Sequence, residues 1–371
     1  MKLTAKIKLQ PTDEQRELLY QTLTTANAAC DFISRTAWEQ STFNKYGLQK
    51  LTYYDVKATF GLSAQVVIRC LGKVADAYKR FNGKQRKFKK TGAIAYDSRI
   101  LKYRTDRETV SMWTVGGRQT IPYLAGEHQK ALLQHQQGES DLALIRGEWY
   151  LFATCDIEAP VADDVTGYLG VDLGIVNIAA DNDGETHSGS HVNKVRHRNR
   201  NLRKNLQQKG TKSAKRRLRA MSGRESRFVH DTNHCIAKHI VQKAKRTHRG
   251  IALEDLKGIR TRAKGRKPQR TALNSWAFAD LAAKIQYKAR KAGVAVVFVD
   301  PAYTSQTCPC CGHTSKSNRK VRDHFSCVEC GYAAPADTVG AINIALRGAD
   351  GTGPVNGPDA VAPGLAASPR L

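Results

Sequence analysis

Alternating apolar and polar residues predict a small β-sheet at the start of the chain. Residues 2–9 (KLTAKIKL) alternate as a half-buried strand does, and short alternating segments recur between residues 91 and 158. Gly116-Gly117 and Arg146-Gly147 supply hairpin turns between these segments. We therefore predict a small antiparallel β-barrel of residues 91–160, which a strand within residues 1–10 completes.

Residues 11–90 interrupt this barrel with a helical pattern. Thr12 is the predicted N-cap, because Asp13 and Glu14 follow it in the first turn. Apolar residues recur at helical spacing to about residue 40 and again over residues 63–81. The turn-rich residues 41–62 separate the two runs, so we predict a helical insert in two parts.

The second half of the chain alternates strands with helices, as an α/β domain does. Residues 168–179 (YLGVDLGIVNIA) predict two strands joined by a turn at Gly174. Residues 251–256 predict a further strand, and residues 294–299 (VAVVFV) are typical of a strand covered on both faces. The predicted helices lie at 193–227, 224–246 and 275–292. This order favours a mixed sheet with helical crossovers.

Three acidic residues accompany these elements. Asp172 interrupts the apolar run of a strand, Glu254 ends another strand, and Asp337 lies at the start of a helix. For Asp172 alone, an exposed strand end is the simpler explanation, since burying a carboxylate is costly unless it is paired. Only a sheet with helical crossovers could bring the three together. Three carboxylates at a sheet edge form a site for hard divalent cations, usually Mg²⁺.

Two cysteine pairs predict a zinc ribbon. Cys308 with Cys311 and Cys327 with Cys330 each enclose two residues and precede a glycine, with residues 312–326 between the pairs. Cys310 stays outside the set, because the Cys308–Cys311 pairing keeps the two-residue gap. Four thiolates leave no open position for water, so we predict one structural Zn²⁺ ion.

The chain of 371 residues carries 60 Lys and Arg against 33 Asp and Glu, a formal charge of +27. This excess favours a polyanionic partner, nucleic acid before an anionic membrane surface. No apolar run is long enough for a membrane span and no signal peptide is visible, so we expect an intracellular protein. Stretches 79–90, 194–227 and 257–270 concentrate the charge. The first could be a solvated loop, but its interleaved Phe81 and Phe88 favour contact with nucleic acid. The predicted nucleic-acid contacts are Lys84, Arg86, Lys87, Lys89, Lys90, Arg203, Lys204, Arg216, Arg217, Arg262, Lys264 and Arg266.

Six segments in this order resemble the TnpB family of transposon-encoded RNA-guided nucleases, which are related to the type V CRISPR effectors. They are GVDLGI (170–175), ALEDL (252–256), NSWAFADLAAKIQYKARKAG (274–293), TSQTCPCCGH (304–313), CVECG (327–331) and ADTVGAINIA (336–345). The N-terminal third is similar more weakly, through IKLQPTDEQ (7–15) and DAYKRF (76–81). Many members carry Asn two residues after the last catalytic acid, where this chain has Val339.

The resemblance implies an α/β multidomain fold. A RuvC-like (RNase H-type) nuclease domain with an inserted zinc ribbon is expected, preceded by a small β-barrel that a helical insert interrupts. The expected parts are the first strand of a wedge β-barrel (1–10), a helical recognition insert (11–90), the rest of the barrel (91–160), the RuvC-like domain (161–303), the zinc ribbon (304–333), a C-terminal RuvC-like piece (334–347) and a disordered tail (348–371).

The resemblance also implies an RNA-guided DNA endonuclease. Asp172, Glu254 and Asp337 would be the catalytic residues and would hold two Mg²⁺ ions in a two-metal mechanism. The expected partners are a guide RNA derived from the transposon end and double-stranded target DNA with a short adjacent motif, and no membrane. Gln65 and Arg69, one helical turn apart, are candidate readers of that motif, and stretch 257–270 is a candidate lid. The expected location is the prokaryotic cytoplasm, with nucleoid association when DNA is bound.

Three other functions compete with this one. A non-cleaving nucleic-acid-binding regulator or transposition accessory protein fits the charge and the cysteines equally well, but the intact set of three acids argues against it. A DNA transposase that joins strands is compatible with an RNase H-type core. A ribosome-associated zinc protein explains the charge but not the three acids.

Overall fold

The computed structural model describes residues 1–80, 83–256 and 278–351. They form two compact units, Met1–Glu158 and Ala159–Leu371, each with its own hydrophobic core. The strands of the first unit are β1 (Lys2–Leu9), β2 (Ile94–Tyr96), β3 (Leu101–Arg104), β4 (Thr109–Thr114), β5 (Gly117–Leu124), β6 (Gln136–Ile145) and β7 (Glu148–Asp156). Its helices are α1 (Asp13–Glu39), α2 (Lys45–Phe60), α3 (Ala64–Arg80) and α4 (Glu127–Leu133).

The seven strands of the first unit form one sheet in the order β2-β6-β7-β1-β5-β4-β3. β1 pairs antiparallel with both β5 and β7, so the N-terminal strand joins the two halves of the sheet as its pattern predicts. The outer strands approach each other: the Tyr103 hydroxyl on β3 donates to Ser140 Oγ on β6 at 3.0 Å. The Tyr96 hydroxyl on β2 donates to the Trp113 carbonyl on β4 at 3.0 Å. The sheet is therefore a nearly closed barrel.

The helical insert contains more helix than the sequence pattern indicated. Thr12 caps α1 as predicted, in a capping box with Gln15. The interpretation of residues 41–62 as turns was wrong, because α2 occupies most of them. Asn44 caps this helix by accepting from the Gly47 N–H at 2.8 Å, and Gly61 ends it in the left-handed conformation. The buried side chains of α2 recur every fourth residue, so its apolar face is narrow.

The second unit contains a mixed sheet, as predicted. Its strands are β8 (Tyr168–Asp172), β9 (Asn177–Asp181), β10 (Thr186–Ser188), β11 (Gly250–Glu254), β12 (Val296–Val299), β13 (His324–Ser326) and β14 (Ala333–Pro335). Its helices are α5 (Ser190–Lys209), α6 (Lys212–Met221), α7 (Arg224–Arg246), α8 (Phe278–Ala292) and α9 (Ala336–Ala349), with a 3₁₀ turn at Lys316–Arg319. The main sheet has the order β10-β9-β8-β11-β12, in which β8, β11 and β12 are parallel.

Helices cover both faces of this sheet. Side chains of α7 and α8 form the larger core with β8, β11 and β12, and α9 packs on the other face through Ile344. α9 extends to Ala349, so the prediction of a disordered tail from residue 348 was wrong at its start, and residues 352–371 lie outside the described part. Among the described residues, none of the helices combines the length and the apolar character that a membrane span needs.

Candidate functional site

Two of the three predicted acids end neighbouring parallel strands. Asp172 is the last residue of β8 and Glu254 is the last residue of β11. Leu253 pairs with Val171, so Glu254 and Asp172 occupy the next position of the same ladder. Adjacent strands lie about 4.8 Å apart. The two carboxyl groups therefore emerge at the same edge of the sheet.

Helix α9 brings the third acid to this edge because it lies unusually close to the strands. A Cβ atom on Gly170 would lie 2.0 Å from the Ala341 carbonyl oxygen, so β8 admits only glycine there. A Cβ atom on Gly340 would lie 3.2 Å from Asp172 Oδ2, so the Asp172 carboxylate faces this turn of α9. Asp337 lies one turn earlier, in the first turn of the helix, on the same side as Gly340.

Partners that the sequence analysis missed orient two of the acids. Thr304 Oγ1 donates to Glu254 Oε1 at 2.6 Å, and Asn177 Nδ2 donates to Asp337 Oδ2 at 2.9 Å. The Arg319 guanidinium lies 3.6 Å from Asp337 Oδ1. Thr304 opens the segment TSQTCPCCGH, and its place there was the available signal. Asn177 and Arg319 carried no sequence signal that linked them to Asp337.

Burial dominates the electrostatics of Asp172 and Glu254, and the other two acids also repel the charge of Asp172. Burial, followed by the charges of Glu254 and Asp337, raises the pKa of Asp172 to about 7, although Arg319 opposes the rise. Burial also raises the pKa of Glu254, against the hydrogen bond from Thr304. In the described part of the chain, the ligand atoms of these three carboxylates do not all lie within 4.8 Å of one another. Glu254 and Asp337 instead face their own hydrogen-bond partners.

The donor set fits a hard divalent cation. Carboxylate oxygens are the ligands that Mg²⁺ prefers, and a cation relieves the repulsion that raises the pKa of Asp172. In the metal-free protein, the ionised Asp172 should therefore destabilise the fold.

We expect Asp172→Asn to stabilise the metal-free protein at about pH 8. Asp172 titrates near its ordinary pKa of 3.8 when unfolded and at about 7 when folded, so ionisation opposes folding by roughly 4 kcal/mol at most. The advantage of the Asn variant should grow from about pH 4 to about pH 7 and then stay constant. Urea unfolding in a chelating buffer measures it. The exposed Asp164→Asn is the control, and a pH-independent difference would contradict the assigned pKa.

The four predicted zinc cysteines come together. Cys308, Cys311, Cys327 and Cys330 offer sulfur atoms that all lie within 4.8 Å of one another, and Cys310 is exposed outside the group. Cys308 Sγ lies 3.6 Å from Cys330 Sγ, and Cys311 Sγ lies 3.6 Å from Cys327 Sγ. Sulfur atoms about 2.3 Å from a tetrahedral zinc ion are roughly 3.8 Å apart, so the four thiols fit this metal.

Backbone geometry supports the same cluster. Gly312 and Gly331 follow the two pairs with φ of 75° and 74°, a conformation that suits glycine. The backbone N–H of Cys330, followed by that of Glu329, lowers the pKa of Cys327 to about 6 against the effect of burial. Val339 is fully buried in one cluster with Cys308 and Phe325, so at this position the chain packs α9 onto the cysteine ribbon.

The predicted nucleic-acid contacts that the structure describes lie mainly at the surface. Lys84, Lys87, Lys89 and Lys90 are exposed, and Arg86 is half-buried. Arg203 and Lys204 lie exposed on α5, where Arg203 also pairs with Glu225, and Arg216 and Arg217 lie exposed on α6. A cavity of about 600 Å³ opens between α5, α6 and α7. Arg262, Lys264 and Arg266, with the whole candidate lid (257–270), lie outside the described residues.

Gln65 and Arg69 lie one turn apart on α3, and other side chains engage both. Arg69 Nη2 donates to Asp97 Oδ2 at 2.6 Å, and Gln65 donates to the same carboxylate. Arg69 also pairs with Glu139, and 22% of its side chain is exposed. Their reading of a DNA motif stays a prediction.

Known proteins resemble parts of this chain. Residues 278–344 match the family described as Cas12f1-like, TNB domain. The Cas12f1 endodeoxyribonuclease of Sulfoacidibacillus thermotolerans is 30% identical over 61% of this chain and 56% of its own length. TnpB-like protein MJ0751 of Methanocaldococcus jannaschii is 35% identical over 35% of this chain and 46% of its own. The putative RNA-guided DNA endonuclease InsQ of Escherichia coli K12 is 29% identical over 54% of each chain.

The chain spans about half the length of these curated relatives. Among solved structures, a Cas12f1 chain from a complex with guide RNA and target DNA aligns with a TM-score of 0.58 at 16% identity. The alignment covers 90% of this chain and 83% of the other, which shows a shared fold. The resemblance to the TnpB family is therefore confirmed: the chain is similar to TnpB-like and Cas12f proteins, and its residues 278–344 match the Cas12f1-like TNB domain.

Proposed function

We propose that this protein is an RNA-guided DNA endonuclease of a transposon, which hydrolyses phosphodiester bonds of target DNA with divalent metal ions. One observation carries the proposal. The carboxylate of Asp172 ends a buried strand beside Glu254 and faces the first turns of the helix that bears Asp337, and the charges of both acids raise its pKa. A fold that brings three partly buried acids to one sheet edge retains repulsion that a cation would offset.

The names of the similar proteins support this function. One is a putative RNA-guided DNA endonuclease and another is an endodeoxyribonuclease. The similar solved structure holds a guide RNA and target DNA. We assign a guide RNA and double-stranded target DNA to this chain as partners on that basis, together with its charge of +27.

Asp172, Glu254 and Asp337 are the residues that would hold two Mg²⁺ ions. When bound, such ions activate a water molecule and stabilise the leaving oxygen of the phosphodiester. The task of the surrounding residues is orientation. Thr304 fixes the rotamer of Glu254, Asn177 fixes that of Asp337, and Arg319 favours the ionised form of Asp172. We assign no protein nucleophile to the reaction.

The two units would divide the work. We assign the barrel of the first unit to the wedge, α1 to α3 to the recognition insert, and the mixed sheet of the second unit to the RuvC-like nuclease domain. The four cysteines would hold a structural zinc ion in an inserted ribbon. The exposed basic residues of α5 and α6 would contact phosphates of the RNA or of the RNA–DNA heteroduplex.

Cleavage by the purified complex tests the function. RNA that co-purifies with the protein is sequenced, and target DNA matching its guide segment is incubated with the complex and Mg²⁺. We expect cleavage of the matching DNA only, and none after treatment with RNase or EDTA. Cleavage without the RNA would favour a transposase, and RNA-dependent binding without any cleavage would favour a regulator. Either result would contradict the proposal.

Thr304→Val is expected to weaken the metal site without disturbing the fold. The variant loses the 2.6 Å hydrogen bond that orients Glu254, and outer partners of metal ligands typically affect affinity or activity by about 10- to 100-fold. The Mg²⁺ concentration for half-maximal cleavage should rise by about that factor. Thr307→Val is the matched control, because the hydroxyl of Thr307 contacts Tyr303 and Thr314 and no acid of the site. Equal effects of the two variants would refute the role of Thr304.

Arg216→Ala and Arg217→Ala are expected to weaken RNA binding through lost phosphate contacts. Each phosphate contact contributes about 0.7 to 0.9 to the slope of log affinity against log salt concentration. The double variant should therefore lower this slope by about 1.5, measured by filter binding at several salt concentrations. Arg107→Ala, an exposed arginine beside Asp106, is the control. An unchanged slope in the double variant would remove α6 from the nucleic-acid interface.

A further inference from the structure

A second cluster of potential metal ligands lies at the outer edge of the mixed sheet. Asp172, Ala180 and Thr186 are in register across β8, β9 and β10 and share the sheet face that α9 covers. His187 follows Thr186 and therefore points to the opposite face, where α7 supplies His239. This cluster is separate from the three acids, and the proposed nuclease function does not use it.

The cluster unites donors from a strand and from a helix. Glu185 and His187 are two residues apart, so both side chains leave the β10 segment on one face. His239 projects from α7, where 53% of its side chain is exposed. Ligand atoms of Glu185, His187 and His239 all lie within 4.8 Å of one another. His239 Nε2 is 3.3 Å from Glu185 Oε1, and the two imidazole rings are 5.3 Å apart.

Neighbouring groups hold the carboxylate of Glu185 in place. Lys243, one turn after His239, donates to Glu185 Oε2 at 3.1 Å, which leaves Oε1 directed at His239. Asp181 Oδ1 accepts the backbone N–H groups of Asp183 and Glu185, each at 3.0 Å, and so fixes the turn that carries Glu185.

The local charge favours a cation despite the nearby lysine. Lys243 pairs with Asp181, Asp183 and Glu185, and Arg249 pairs with Asp183. Three carboxylates therefore face two cationic side chains, and one negative charge is left beside the two imidazoles.

We propose that Glu185, His187 and His239 bind one divalent transition-metal ion of the zinc type, with a further position open to water. Two imidazoles and one carboxylate are a ligand set that Zn²⁺ uses. Donor atoms about 2.0 to 2.1 Å from a tetrahedral zinc ion are roughly 3.4 Å apart, and the 3.3 Å between His239 Nε2 and Glu185 Oε1 matches this value. The bound ion fastens the edge strand β10 to helix α7.

Zinc stoichiometry of the full-length protein tests the site. The protein is dialysed against buffered Zn²⁺ and zinc per chain is measured by mass spectrometry. We expect one zinc ion beyond that of the four cysteines in the wild-type protein. His187→Gln and His239→Gln should each lose this additional ion. Zinc bound at this site should raise the unfolding midpoint of the wild-type protein, and the two variants should lack this increase. His135→Gln, which changes an exposed histidine of the first unit, should retain it.

The Cys327→Ser variant separates the two metal sites, since it should keep the additional ion while losing the thiolate-bound one. The wild-type measurement decides the proposal even where a variant folds poorly. A wild-type protein that takes up no zinc beyond the cysteine site overturns the proposal. So does an additional ion that both histidine variants retain.

Discussion

Asp172→Asn is expected to abolish Mg²⁺-dependent cleavage of target DNA while guide RNA stays bound. Asn keeps the size of the side chain but removes the charge that lies between Glu254 and the helix of Asp337. Metal ions stabilise transition-state charge by several kcal/mol, so loss of a central ligand should lower the cleavage rate by about 10³-fold or more. Single-turnover cleavage with saturating RNA measures the rate.

The control for this variant is Asp164→Asn, which removes one negative charge at an exposed position of the same unit. It should cleave as the wild-type protein does. RNA affinity should be the same in both variants, because the basic helices are untouched. Cleavage by Asp172→Asn within a few-fold of the wild-type rate would refute the assignment of the catalytic site.

The second large effect is expected for Cys327→Ser, which should lose one zinc ion per chain and the folded cysteine ribbon. The four sulfur atoms form two pairs across the two turns, each with a separation of 3.6 Å. Structural zinc sites in small peptides typically bind the ion with about 10 to 16 kcal/mol, and the variant loses this stabilisation. Cys327 and Cys308 share a small buried cluster with Val339 of α9. Loss of the ion should therefore loosen the start of α9 and displace Asp337.

Zinc content, limited proteolysis and cleavage rate should all change together in Cys327→Ser. Cys310→Ser is a matched control within the same segment, because Cys310 is exposed and lies outside the group of four. It should match the wild-type protein in all three measurements. Full cleavage activity in Cys327→Ser without thiolate-bound zinc would show that the ribbon does not support the site.

Local patterns predicted most of the elements of this protein. Alternation identified β1 and its place in the barrel, and helical spacing gave Arg224–Arg246 with its observed bounds. The prediction of turns at residues 41–62 was wrong because Asn44 and Gly61, residue types that are common in turns, here cap α2. The sequence pattern did not predict short elements such as β10 and α4, because three to seven residues carry too little periodicity.

The candidate site was predictable where chemistry depends on residue type, and not where it depends on long-range contacts. Asp172 and Glu254 stand out at strand ends, Asp337 at the start of a helix, and the four cysteines through their paired spacing. Asn177 on β9 and Arg319 in the 3₁₀ turn, by contrast, meet Asp337 only through tertiary packing. Such tertiary neighbours leave no mark in a single sequence. The cluster of Glu185, His187 and His239 is hidden for the same reason.

The most direct test is to locate Mn²⁺ ions in a structure of the protein bound to guide RNA and target DNA, using anomalous scattering. The account predicts two ions about 3.5 to 4 Å apart, ligated by Asp172, Glu254 and Asp337 next to a phosphate of the DNA. Ions bound only elsewhere, or three carboxylates that share no ion, would contradict it.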